Sequence, residues 1–101
     1  MARFYTELKE WGHRVTLRLE LLSTDHCSLC EQALDLLLSM QEIAGVELMV
    51  VDIATDEELM ARYADSIPVL RAVDEEIAAP FAQYQIIALL ERVARRVRKN
   101  G

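Results

Sequence analysis

Cysteine is scarce in this chain, at two of 101 residues. That is too few for a disulfide-stapled scaffold, so in a reducing compartment a close cysteine pair reads as catalytic or metal-binding rather than structural. Proline and glycine are equally sparse, at two and three residues, and no low-complexity stretch, repeat or interdomain linker interrupts the sequence. No segment approaches the roughly 20 apolar residues that a membrane-spanning helix needs. The first fourteen residues carry Arg3, Glu7, Lys9, Glu10 and Arg14 without a long apolar run, unlike a secretory signal. The expectation is a soluble, non-secreted, cytoplasmic protein with no membrane partner. Positive charge is also short: 11 Lys and Arg against 17 Asp and Glu leave a net −6, which argues against nucleic acid as a partner. The cations that exist crowd the end, at Arg92, Arg95, Arg96, Arg98 and Lys99, where they oppose the partial negative charge of a terminal helix.

What is present is apolar side chain, 52% of the sequence, enough for one core and one domain at this length. Residues 1–14 read as an N-terminal extension and 15–101 as the domain. Leu17, Leu19 and Leu21 alternate with Thr16, Arg18 and Glu20, predicting a strand over 15–23 with one buried face. Leu29, Ala33, Leu36, Leu37, Met40 and Ala44 then recur at helical spacing, with Gly45 placed for a left-handed cap. Val46 to Ile53 is nearly continuous apolar sequence, as in a central parallel strand covered on both faces. Thr55 with Glu58 suggests a capping box for a short helix ending near Ala64. Val69 to Val73 and Ile77 to Ala79 read as a hairpin joined through Asp74-Glu75-Glu76. A last helix over 82–99 presents Ile86, Leu90, Val93, Ala94 and Val97 on one face. The predicted order is βαβαββα, an α/β arrangement.

Both cysteines fall in one motif, Cys27-Ser28-Leu29-Cys30, where the first strand gives way to the first helix. A CxxC at such a junction suggests dithiol redox chemistry. Cys27 stands where unpaired helix N–H groups and the dipole favour a thiolate, which makes it the nucleophile and Cys30 the resolving sulfur. A protonated His26 adds to that stabilisation and Asp25 opposes it. The same pair could instead hold a metal or serve as small packing residues. His26 could tune Cys27, contact substrate or be solvated. His13 lies away from every motif. Phe4, Tyr5 and Trp11 give the extension an apolar edge, and Met40, Met49 and Met60 read as core fillers.

With Val51-Asp52-Ile53, Arg62-Tyr63 and Ile67-Pro68-Val69-Leu70 following the CxxC, the chain resembles the thioredoxin superfamily, and within it the small glutaredoxin-like proteins. The resemblance covers about residues 15 to 95. It implies a thioredoxin-like three-layer sandwich, a four-stranded mixed sheet with three helices. It further implies that Pro68 is cis and lies opposite Cys27, whereas the residues alone are equally compatible with a trans proline opening a strand. On the same grounds Ile67 would offer its backbone to a bound peptide, with His26 and Ser28 as further substrate contacts.

The departures from better-known relatives narrow this reading. No Trp precedes the CxxC and no Gly-Pro lies within it. Leu21 stands where thioredoxins keep a buried acid, so proton transfer would need water or His26. Where glutaredoxins carry Tyr, a basic residue and a Gly-Gly-then-Asp element, this chain has Leu29 and Ser28, Ser23-Thr24-Asp25, and Ala78-Ala79-Pro80-Phe81-Ala82. Glutathione remains possible as a co-substrate, but the charge-assisted contacts that usually grip it are not matched. A CGFS-type iron–sulfur motif is absent, and no cofactor is expected. The sequence thus points to a thiol-disulfide oxidoreductase acting through Cys27 and Cys30 on a protein disulfide or a glutathione-type mixed disulfide. The alternative is a thioredoxin-fold binding module whose CxxC holds a partner or a metal without turnover.

Overall fold

A computed structural model of the chain describes residues 2–4 and 17–100. Tyr5, Trp11 and His13, and the side chain of Phe4, lie outside the described residues. β1 spans Ala2–Phe4, β2 Arg18–Ser23, α1 Ser28–Ser39, β3 Glu47–Asp52, α2 Glu57–Tyr63, β4 Val69–Ala72, β5 Glu75–Ala78 and α3 Gln83–Asn100. The four-stranded mixed sheet and three helices expected of the domain are present, and Ala2–Phe4 adds a fifth strand, in the order β1-β3-β2-β4-β5. β2 and β3 are parallel, joined through α1, while β1–β3, β2–β4 and β4–β5 are antiparallel.

The alternating side chains of β2 build two cores. Leu19 and Leu21, both fully buried, join Leu48, Leu70, Ile86 and Leu89 in the larger cluster with α1 and α3. Leu22, also fully buried, points the other way and packs with Ile53, Tyr63 and Val69 in a smaller cluster. Burying each such leucine contributes about 1.5–3 kcal/mol, so one six-residue strand anchors both layers.

Three boundaries differ from expectation, each for a local reason. The first helix ends at Ser39 rather than Ala44: the Ser39 hydroxyl donates to the Leu36 carbonyl at 2.7 Å, and Met40 turns extended with its N–H on the Leu37 carbonyl. A 3₁₀ turn over Gln41–Ile43 follows and buries Ile43, so the apolar periodicity outlasts the helix that it suggested. Gly45 does take a left-handed φ of 86°, but after that turn. The cap of α2 is Asp56, whose carboxylate accepts from the N–H groups of Glu58 and Leu59 at 2.9 and 3.2 Å, while the Thr55 hydroxyl donates to the Asp52 carbonyl. The hairpin turn is only Val73-Asp74, with Ala72 opposite Glu75. Its acids are strand and turn residues with partners: Arg92 meets Glu75 at 2.9 Å, and Arg96 reaches both Asp74 at 2.6 Å and Glu75. Two of the clustered C-terminal arginines therefore tie α3 to the hairpin.

The second face of the sheet is covered by α2 only near the ends of β2 and β3, not along the full length of β3 as its apolar sequence suggested. The rest carries cross-strand ion pairs. Arg18 meets Glu47 at 2.6 Å, and Glu20 meets Arg71, its partner on β4, at 2.9 Å. Burial by itself disfavours the Arg71 charge, but Glu20 and Tyr63 more than offset it and hold the guanidinium above its ordinary range. The guanidinium carbons of Arg71 and Arg62 lie 5.9 and 5.3 Å from the Tyr63 ring centroid. The Tyr63 hydroxyl donates to Glu76 on β5 at 2.8 Å.

Val73 holds a left-handed φ of 54° at the hairpin tip and is 68% exposed. A β-branched residue there is strained, at a cost of roughly 1–2 kcal/mol, with little burial in return. Val73→Asn should stabilise the protein by about 1 kcal/mol, a Tm increase of roughly 4–8 °C for a domain of this size. An unchanged or lower Tm in calorimetry would show that the turn is not strained in solution.

Candidate functional site

The site forms where β2 ends. Ser23 pairs with Asp52 at the C-terminal end of β3, and Leu22 pairs with Val69 at the start of β4. The chain leaving β2 and the loop entering β4 therefore emerge side by side, bringing the CxxC and Ile67-Pro68 to one end of the sheet. Between β2 and α1, His26 takes a left-handed φ of 58°, a region that histidine enters more readily than most residues. That turn ends the strand direction and sets Cys27 at the helix start, leaving His26 exposed.

Cys27 is the N-cap of α1. Its backbone is extended, at φ −113° and ψ 104°, its sulfur accepts from the Cys30 N–H at 3.2 Å, and its carbonyl accepts from Glu31 N–H at 3.0 Å. A sulfur thus does the work usually given to a serine or aspartate oxygen. The two sulfurs are joined as a disulfide, with the Cα atoms 5.2 Å apart, inside the range that a disulfide spans. Burial separates the partners: Cys27 is half-buried and Cys30 is 2% exposed. Ser28, the first residue of α1, is exposed, and Leu29 is 58% exposed despite being apolar.

Across the opening, the Ile67–Pro68 peptide bond is cis, and so is Ala79–Pro80, which the sequence reading had not singled out. The Pro68 carbonyl accepts from Ala79 N–H at 3.0 Å, fastening the two proline segments together. Ile67 is half-buried and Pro68 buried. The Ile67 N–H is engaged within the chain: with Ser66 N–H it donates to the Tyr63 carbonyl, at 3.2 and 2.8 Å. Tyr63 thereby fixes this loop from the end of α2, while its ring sits in the smaller core. The residue was legible in the sequence only as part of an apolar stripe and of the Arg-Tyr pair.

Between these elements runs a groove of ≈ 790 Å³. Leu29, Ala33 and Leu36 of α1 form one wall, and Ile67, Pro68 and the stretch 78–81 form the other. Leu29 and Phe81, absent from the sequence-based site, supply much of its apolar character. Asp65 is the one ionisable side chain among the described residues that line it. Leu21 is fully buried in the larger core, an apolar side chain at the position where the resemblance places a buried acid. Glu47 is the buried acid among the described residues, and it pairs with Arg18 at the opposite end of the sheet. Among the described residues no three His, Cys, Asp or Glu come together as a metal site, and no helix is long and apolar enough to cross a membrane.

Residues 18–91 match a family profile described as a glutaredoxin-like domain (DUF836). The chain is also similar to two solved structures, each with a TM-score of 0.62. One is the X-ray structure of a structural-genomics target protein from X. campestris, 35% identical, covering 73% of this chain and 96% of that one. The other is the solution NMR structure of protein Ne2328 from Nitrosomonas europaea, 30% identical, covering 78% and 95%. No curated protein matches the sequence significantly.

The capping role of Cys27 is separable from its part in the disulfide. Cys27→Ser and Cys27→Ala both remove the disulfide, but serine keeps an acceptor for the Cys30 N–H. Cys27→Ser should be the more stable by about 1 kcal/mol in urea titrations. Equal midpoints would mean that the sulfur contributes nothing as a cap.

Proposed function

The chain belongs to the glutaredoxin-like domain family, and on that premise we propose that it is a thiol-disulfide oxidoreductase of the cytosol, with Cys27 as nucleophile and Cys30 as resolving thiol. The observation that carries this reading is the asymmetry at the helix start: a half-buried Cys27 sulfur that accepts the Cys30 N–H, beside a Cys30 almost wholly enclosed. An N–H donor and the positive end of α1 stabilise an anion at Cys27 more than a neutral thiol. Thiolate is the attacking form in disulfide exchange.

In the reducing direction, the Cys27 thiolate attacks one sulfur of a substrate disulfide, forming a mixed disulfide and expelling the other substrate sulfur as a thiolate that takes up a proton. Cys30 then loses its proton to water or to His26 and attacks the Cys27 sulfur. The second substrate sulfur leaves as a thiolate and is protonated, and the Cys27–Cys30 disulfide remains. The substrate gains two electrons and two protons: the protein gives up both electrons and the Cys30 proton, and solvent returns the proton that Cys27 lost on ionising. A partner of higher potential drives the same steps backward. Ile67-Pro68 is the platform along which the substrate chain lies, with the Ile67 carbonyl as its backbone contact because the N–H is engaged by Tyr63. His26 and Ser28, both exposed beside Cys27, complete the substrate contacts.

Cys30→Ser should accumulate a covalent adduct with a disulfide substrate through Cys27, seen as a mass increase that reductant reverses. Cys27→Ser should form none. Adduct on Cys30 in the Cys27→Ser protein at the rate seen for Cys27 would reverse the assigned roles. Absence of adduct from both variants would remove the exchange reading.

A further inference from the structure

The groove beside the CxxC differs in charge from what glutathione needs, and it points to another class of substrate. Glutathione presents two carboxylates and one ammonium group, and burying a carboxylate without a cation or donor is costly. Among the described residues the walls contain no Lys, Arg or His, and Asp65 adds a negative charge at the rim. Leu29, Leu36 and Phe81 offer apolar surface instead, and Leu29 is 58% exposed. Exposed apolar surface of this kind in a groove marks a contact for a partner rather than for water.

Asp65 is also poorly placed for stability. It follows Ala64, the C-terminal cap of α2, where the helix dipole disfavours an anion. It is exposed and lies two residues before Ile67, so its carboxylate stands on the loop that borders the groove. A residue that opposes its helix while providing the groove's one charge is better accounted for by what it meets there.

Resting on the exchange reading above, we infer that the groove selects an extended segment of a protein partner, with an apolar side chain against Leu29 and Phe81 and a basic side chain against Asp65 beside the reacting cysteine, in preference to glutathione. The recognition is charge complementarity at the rim combined with apolar burial in the floor.

The test compares the rates at which the reduced protein reduces four disulfides: neutral hydroxyethyl disulfide, oxidised glutathione, and two symmetric peptide disulfides with Leu beside the cysteine and either Lys or Glu next to it. Exposed ion pairs contribute roughly 0.2–1 kcal/mol, so the wild type should favour the Lys peptide over the Glu peptide by about fivefold. It should reduce glutathione disulfide more slowly than the Lys peptide. Asp65→Lys should invert the peptide preference by a similar factor. It should not lower Tm, since it relieves the charge at the end of α2. Reduction of the neutral disulfide without any charge preference, or a preference that survives Asp65→Lys, overturns this inference and leaves the exchange reading standing. Failure to reduce even the neutral disulfide removes the exchange reading, and this inference with it.

Discussion

Strand β2 is hydrogen-bonded along both edges, parallel to β3 and antiparallel to β4, and it sends Leu19 and Leu21 into one core and Leu22 into the other. Register slips of one residue would exchange these faces, exposing the leucines and burying Glu20, so the pairing is strongly fixed. Everything at the candidate site follows from where this strand stops. Its last residues deliver Cys27 to the start of α1. Its antiparallel neighbour begins at Val69, so the Pro68 loop arrives beside the same end. The site hangs on a strand that is paired along both edges and feeds both cores.

The two faces of the sheet solve the burial problem differently. The α1/α3 face is dry and packed. The other is closed by α2 at the end near the site, and farther away it is finished with ion pairs between neighbouring strands and with arginines around Tyr63. Such partly exposed pairs add little stability individually, but they occupy a stretch of sheet that none of the described helices covers. Tyr63 joins the two regimes: its ring lies in the small core, its hydroxyl binds Glu76, and its carbonyl holds the Ser66 and Ile67 N–H groups.

The sequence makes the framework legible wherever a signal is local. The β2 alternation, the CxxC at a strand-to-helix junction and the Ile67-Pro68 pair ahead of β4 can all be read in short windows. Other features depend on distant partners. Asp74 and Glu75 resemble turn residues until Arg96 and Arg92, 22 and 17 positions away, are seen to pair with them. Glu76 likewise waits on Tyr63, 13 residues earlier. The end of α1 is hidden because Met40 and Ile43 continue the apolar rhythm while the backbone leaves the helix. The groove walls were missed for the same reason: Leu29, Asp65 and Phe81 come from three separate stretches and acquire a shared purpose only when the chain folds.

The disulfide encloses just four residues, 27 to 30, and the sulfur that would be released on reduction is the one that caps α1. A thiolate there accepts the same Cys30 N–H at least as well as a disulfide sulfur does, so the helix start is held in either state. Opening this disulfide would release a loop of four residues and leave the helix cap in place. On the proposed reading, a partner would sense the state of the pair by contact with Cys27, the more exposed of the two cysteines.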